Sequence, residues 1–268
     1  MKYMFQKTLL AMPLLIFISC SNNNNEIKTP VYNEVGQFFY NEFMQCKTGT
    51  DYTLDSSKAM MEEWRALGPS KDLLGAWLYQ PASEENRSQD GFWELQWTSK
   101  ESADMAWQEW LTNEEAQAWG DKYNNVLQCD GDNRSPWTFV FPYDPEKFGA
   151  FDSSGYFAAA FSPCNFNEGK TNEDLKLSTA FYSTWLDTLD KNIGTYAYGL
   201  YVPAFADSPV DFWFGNFHEN FQTMSDGNIL WEESGGQAKA SLESTASCEA
   251  PDLYDSQVVY DPSEPNFS

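Results

Sequence analysis

The chain has 268 residues, with 42% hydrophobic and 17% aromatic side chains, 16 basic against 40 acidic residues and a formal charge of -24. That much apolar material supports one large core or two ordinary ones, which excludes wholesale disorder. The acid excess repels phosphate backbones, whose binding needs clustered Lys and Arg to release counterions, so nucleic acid is excluded as a partner.

Residues 1–20 read as a bacterial secretion signal: Lys2 and Lys7 make a positive start, and residues 9–18 form an apolar stretch too short to span a bilayer. The stretch ends in Phe17-Ile18-Ser19-Cys20, which resembles the lipobox of bacterial lipoproteins, with Phe17 where that family usually carries Leu. The resemblance implies removal of residues 1–19 and a lipid on Cys20. Ser21 in place of Asp implies, in the same families, a periplasmic protein held at the outer membrane. Residues 22–25 are four asparagines that bury nothing, so residues 20–34 read as a polar tether. No second segment approaches the roughly 20 apolar residues of a membrane span, so membrane contact is expected through the N-terminal lipid only.

The remainder says the same thing twice. Cys46 and Cys164, Trp64 and Trp185, Tyr79 and Tyr201, Phe92-Trp93 and Phe212-Trp213, Cys129 and Cys248, and Tyr143-Asp144-Pro145 and Tyr260-Asp261-Pro262 recur at separations of 117 to 122 residues. In the first copy, residues 38–46 predict a strand and 56–67 a helix, entered through Thr53, Asp55 and Ser56 and stopped by Gly68-Pro69. Two aromatic-rich strands follow at 73–80 and 92–98, across the polar loop 82–90. A helix begins at Ser99, with Ala103, Ala106, Trp107, Trp110 and Leu111 near helical spacing, and continues or restarts through 119–127. Residues 137–141 close the copy as a strand. The second copy repeats the order with strands at 156–163, 195–202, 211–218 and 256–260, and helices at 172–189 and 221–247, the latter broken by Gly235-Gly236.

This duplicated βαββαβ order resembles the dimeric α/β-barrel superfamily, in which two ferredoxin-like units pack sheet to sheet around a common interior. The resemblance implies an α+β fold of two tandem repeats, 35–148 and 149–262, with a tail at 263–268, as a monomeric pseudo-dimer. It names no reaction, because the superfamily hosts monooxygenases, isomerases, haem enzymes, stress proteins and binding proteins. In a ferredoxin-like sheet the first and last strands are antiparallel neighbours, which implies bridges Cys46–Cys129 and Cys164–Cys248. Each would close a loop of roughly 80 residues, worth about 4 kcal/mol in the chain-entropy model, in a compartment that permits disulfides. A zinc site is the competing use of these cysteines, but no CxxC pair exists, and no metal or other cofactor is expected.

Strand alternation gives the one handle on a site. In 92–98, Trp93, Leu95 and Trp97 suit a helix-covered face, leaving Phe92, Glu94, Gln96 and Thr98 for the shared cavity. Matching Phe212-Trp213 to Phe92-Trp93 puts Phe212, Phe214, Asn216 and His218 on the cavity side as well. Glu94, Gln96, Phe214, Asn216 and His218 are therefore the candidate ligand-binding residues. His218, the sole histidine, and Glu94 are the candidate proton carriers, with His218 as a solvent-facing strand end beside Glu219 the plainer alternative. Asp130-Gly131-Asp132-Asn133 lacks the acid spacing of a calcium loop and reads as a turn. No nucleophile elbow, spare thiol or phosphate-cradling glycine loop is present. The expected function is binding of a small, partly apolar ligand between the two halves. The alternatives are a cofactor-independent monooxygenase or isomerase of the same fold, and an envelope scaffold or interaction protein.

Overall fold

The computed structural model describes residues 35–151 and 154–263. The signal, the lipidation of Cys20, the tether to residue 34 and residues 264–268 lie outside them. The first half runs β1 (Phe38–Thr48), α1 (Leu54–Ala66), β2 (Leu73–Pro81), β3 (Gly91–Trp97), α2 (Lys100–Thr112), α3 (Glu114–Tyr123), β4 (Leu127–Cys129) and β5 (Ser135–Val140). The second repeats it: β6 (Tyr156–Phe166), α4 (Asn172–Leu186), β7 (Tyr196–Pro203), β8 (Phe212–His218), α5 (Phe221–Ser234), α6 (Gly236–Thr245), β9 (Ala246–Cys248) and β10 (Asp252–Tyr260).

Local chemistry sets the helix ends. Thr53 and Ser99 start α1 and α2 with capping boxes closed by Ser56 and Ser102, and Asn220 does the same for α5 with Thr223. The second helix of each half is divided in two. Asn113 leaves helical geometry at φ -84°, ψ 111°, and its side chain accepts from the N–H groups of Glu115 and Ala116, ending α2 and starting α3 together. Gly236, at φ +42°, separates α5 from α6.

The strand order is β2-β3-β1-β5 in the first half and β7-β8-β6-β10 in the second, the ferredoxin-like arrangement twice over. The halves join at both edges: β5 pairs with β7 and β10 with β2, all antiparallel, which closes eight strands into one barrel. The short strands β4 and β9 extend this barrel beside β1 and β6 and carry the second cysteine of each bridge. Cys46 faces Cys129 and Cys164 faces Cys248 in register, and both pairs are disulfide-bonded, across 83 and 84 residues.

Alternation divides every barrel strand between an inner and an outer layer. Phe39, Phe43, Tyr79, Phe139, Phe161 and Tyr201 turn inward, from both halves, into one cluster. Their rings meet edge to face or tilted, as Phe139 and Tyr201 do at 4.5 Å and Tyr79 and Phe161 at 5.2 Å. Gly199 makes room for this filling, because a Cβ there would sit 2.2 Å from the Phe139 ring. The outer face of the first half, with Met44, Trp93, Leu95 and Trp97, packs under α1, α2 and α3, where Trp64 of α1 meets Trp93. The outer face of the second half, with Tyr196 and Tyr198, packs against Tyr182 and Leu186 of α4 and Trp231 of α5.

Candidate functional site

The pseudo-symmetry can be read from strand register. Cys46 lies opposite Gly91 and Cys164 opposite Phe212, so Gly91 corresponds to Phe212. Phe92 then corresponds to Trp213, Glu94 to Gly215, Leu95 to Asn216 and Trp97 to His218. The Phe-Trp pairs that look equivalent in sequence are thus one residue out of step, and a one-residue slip turns every side chain to the other face. This corrects the expectation for the second half. Glu94 and Gln96 do point into the barrel, whereas Phe214, Asn216 and His218 lie on its outer face beneath the helices, and Trp213 and Phe217 take the inward places. The five candidates therefore form two groups, separated by the wall of the barrel.

Inside the barrel Glu94 is 1% exposed and has no cationic partner among the described residues. The Tyr79 hydroxyl donates to its Oε2 at 2.6 Å, the Asn41 amide donates to its Oε1 at 2.6 Å, and Tyr201 donates from 3.4 Å. Burial raises the carboxyl to about 7, against the lowering effect of those three donors. Burial, and the carboxylate beside them, push the Tyr79 and Tyr201 hydroxyls well above 10, which keeps them as donors. Asn41 also donates to Gln96 Oε1 at 3.2 Å, while Asn41 Oδ1 and Gln96 Nε2 are buried without a partner among the described residues. Asn41, Tyr79 and Tyr201 were missing from the sequence candidates. The paired Leu-Tyr-x-Pro segments at 78–81 and 200–203 were the signal that could have found the two tyrosines.

The second group lines a cavity of about 330 Å³ between β7, β8 and the helices α4 to α6, a size suited to a small molecule. Its walls are aromatic, with Tyr182, Trp185, Phe214 and Trp231. A polar chain crosses it: Tyr182 and Tyr196 share a hydroxyl–hydroxyl bond of 2.7 Å, and Tyr196 donates onward to Asn216 Oδ1 at 2.7 Å. Asn216 Nδ2 has no acceptor among the described residues and is left to donate. His218 is 7% exposed, which removes the solvent-facing alternative. Its ring lies 4.7 Å from that of Tyr196, and Gly227 of α5 leaves space beside it, since a Cβ there would come within 3.3 Å of His218 Cε1. Burial lowers the imidazole to about 4, so it is neutral at neutral pH and offers one accepting nitrogen and one N–H. Asn216 and His218 also border a neighbouring cleft under α5 lined by Met224, Asn228 and Glu232.

The equivalent space of the first half is a cavity of about 440 Å³ walled by tryptophan. Among the described residues no cluster of three His, Cys, Asp or Glu side chains stands ready for a metal ion. Asp130 forms the turn read from the sequence, its Oδ1 accepting from the N–H groups of Asp132 and Asn133.

No family model and no curated protein matches the chain. Solved structures do. A monooxygenase-like protein of Lactobacillus acidophilus NCFM is 6% identical, with a TM-score of 0.50 over 83% of this chain and 94% of its own. A variant of the chlorite dismutase of Candidatus Nitrospira defluvii is 12% identical, with a TM-score of 0.50 over 85% of this chain and 94% of its own. At such identities the likeness is one of fold: the chain has the dimeric α/β-barrel fold, with both ferredoxin-like halves in one polypeptide.

Proposed function

We propose that this is an exported, lipid-anchored periplasmic protein that binds a small, uncharged, partly apolar molecule in the helix-covered cavity of its second half. One observation carries the reading. At symmetry-related places on the two outer faces the first half has Leu95 and Trp97 and the second has Asn216 and His218. Leu95 carries no hydrogen-bonding group and Trp97 a single indole N–H, buried without a partner among the described residues; the amide and imidazole of the second pair bring more polar atoms, whose burial costs free energy unless something hydrogen-bonds to them. Asn216 Nδ2 and the neutral His218 ring offer a donor and a donor–acceptor pair among aromatic walls, which suits a ligand carrying a hydroxyl or carbonyl on an apolar frame.

The test is native mass spectrometry of the protein purified from its host, followed by titration with whatever molecule co-purifies. Asn216→Leu and His218→Leu should each weaken binding by roughly 2- to 13-fold, the equivalent of one hydrogen bond, while Glu94→Gln leaves it unchanged. Unchanged affinity in both Leu variants would end the proposal. Cys20→Ser is expected to release the protein from the membrane fraction.

A second reading, proton-transfer catalysis of the monooxygenase or isomerase kind, draws support from Glu94, whose carboxyl at about 7 suits a general base near neutrality. It requires the aromatic filling to open. Modification of Glu94 by a water-soluble carbodiimide, seen as added mass on residues 91–97, would favour it; protection of that segment would count against it.

A further inference from the structure

We propose that the open groove under α5 is a docking site for an extended segment of a partner protein, apolar at one end and basic at the other. The groove, of about 810 Å³, lies between α5 and the outer faces of β6 and β10. Small residues on β6 make room for it. Strand register places Ala158, Ala160 and Ser162 where the first half has Tyr40, Glu42 and Met44. In the first half that space is filled: Tyr40 and Met44 belong to the helix-covered core, and the Trp107 indole and the Arg134 guanidinium both bond to Glu42. In the second half Met224 and Leu253 pack with Ala158 and Ala160, and the groove beyond them stays open. Phe221 and Ile229 on its wall are left 36% and 53% exposed.

The shape and chemistry of the groove select the occupant. Its lining residues on α5 recur at helical spacing from Phe221 to Glu233, a stripe about 18 Å long, which is the span of about five or six residues of extended chain. The stripe is polarised: Phe221 and Met224 stand at one end, Glu232 and Glu233 at the other. No Lys, Arg or His occurs on β6, α5 or β10, whereas α5 and β10 also carry Asp226, Asp252 and Asp255. Lys239 of α6 reaches Glu232 and leaves Glu233 without a cation among the described residues, and Arg87 is engaged with Glu249 and Asp252. A basic side chain therefore complements the acidic end. Between the ends stand Ser162, Asn216, Ser225 and Asn228, hydrogen-bonding groups that an alkyl chain would leave unused and that the N–H and C=O groups of an extended backbone would engage. β6 is already paired on both sides, with β8 and β10, so the segment is held by side chains and not as an added strand. A second copy of this chain, at -24, is a poor source of such a segment.

The test titrates a positional-scanning library of tetramethylrhodamine-labelled hexapeptides into the intact chain, read by fluorescence polarisation. The library should show a preference for Lys or Arg at one end and for a large apolar residue at the other, with binding that weakens as salt rises. Glu232→Lys and Glu233→Lys combined should lower the affinity of the selected pool at least about tenfold and move the preference at its basic end to Asp or Glu. Ile229→Asp should weaken binding at least about threefold, whereas Leu177→Asp, at a likewise exposed apolar position on α4, should stay within about twofold of wild type. The side chains exchanged are exposed, so the fold is not at stake. None of them lines the neighbouring small-molecule cavity, so each site can fail without the other. A library without preference, selection of acidic residues by the wild type, or an affinity untouched by the charge reversal would each overturn the assignment. So would saturable binding of dodecyltrimethylammonium with no peptide selected, which would make the groove a site for a cationic amphiphile.

Discussion

Glu94 is single at the centre of the barrel because its counterpart is Gly215, and rings of the second half hold the space a second carboxylate would need. A Cβ at position 215 would meet Tyr201 Cε2 at 3.0 Å, Phe217 Cζ at 3.1 Å and Phe161 Cε1 at 3.2 Å. All three rings are buried. Gly215→Ala is therefore expected to destabilise the protein by about 1–3 kcal/mol, seen as a lower urea midpoint at unchanged slope. Gly227 is the informative comparison. It sits inside α5, and a Cβ there would approach only the His218 ring, at 3.3 Å beside an open cavity. Gly227→Ala should be neutral or should gain up to about 1 kcal/mol from helix propensity. Equal losses at the two positions would contradict a packed interior flanked by an open helix-covered space.

At the scale of elements, the duplication carried most of the fold and the site was half legible. Rare residues at matched spacings gave the repeat, because Trp and Cys mark core and bridge positions whatever the loops between them do, and the ferredoxin-like resemblance built on that repeat implied the strand order and both cysteine pairs. In 92–98 the inward and outward sets followed from alternation alone. In 211–218 the same rule failed by one residue, because the Phe-Trp pairs coincide in letters and not in register. Only the pairing of Cys164 with Phe212 across β6 and β8 reveals the slip. Tyr196 and Tyr182 escaped notice because their partnership joins a strand to a helix, which no spacing records. The bridges themselves yield a prediction. Their loops of 83 and 84 residues are nearly equal, so removing either by paired Cys→Ala substitution is expected to cost about 4 to 5 kcal/mol in the chain-entropy model. Because β5–β7 and β10–β2 pairing ties the halves together on both edges, each variant should still melt in one calorimetric transition. Two separated transitions would show that the halves fold independently.

For the whole molecule, the barrel wall separates two buried titratable groups whose effects on stability oppose each other. Glu94 binds its proton more tightly when folded, its carboxyl raised by burial from 4.5 to about 7. Its contribution is therefore fully present at low pH and is lost as the pH climbs through 7. His218 is held neutral, lowered by burial from 6.5 to about 4. Its contribution is present above 6.5 and is lost as the pH falls through 4. Each shift corresponds to about 3 kcal/mol. Between pH 4.5 and 6.5 the two slopes nearly cancel, so wild-type stability should change little there on their account. Relative to wild type, Glu94→Gln should gain stability as the pH rises from 4.5 to 7, and His218→Gln should gain it as the pH falls from 6.5 to 4. The double variant should track the sum, since the groups sit on opposite sides of the sheet and share no hydrogen-bonding partner. Urea midpoints of the four proteins measured at half-unit steps from pH 4 to 8 decide the matter. A pH-independent difference between Glu94→Gln and wild type would mean that the carboxyl is not buried in a closed barrel, and with it would go the packed interior on which the two-sided arrangement of sites rests.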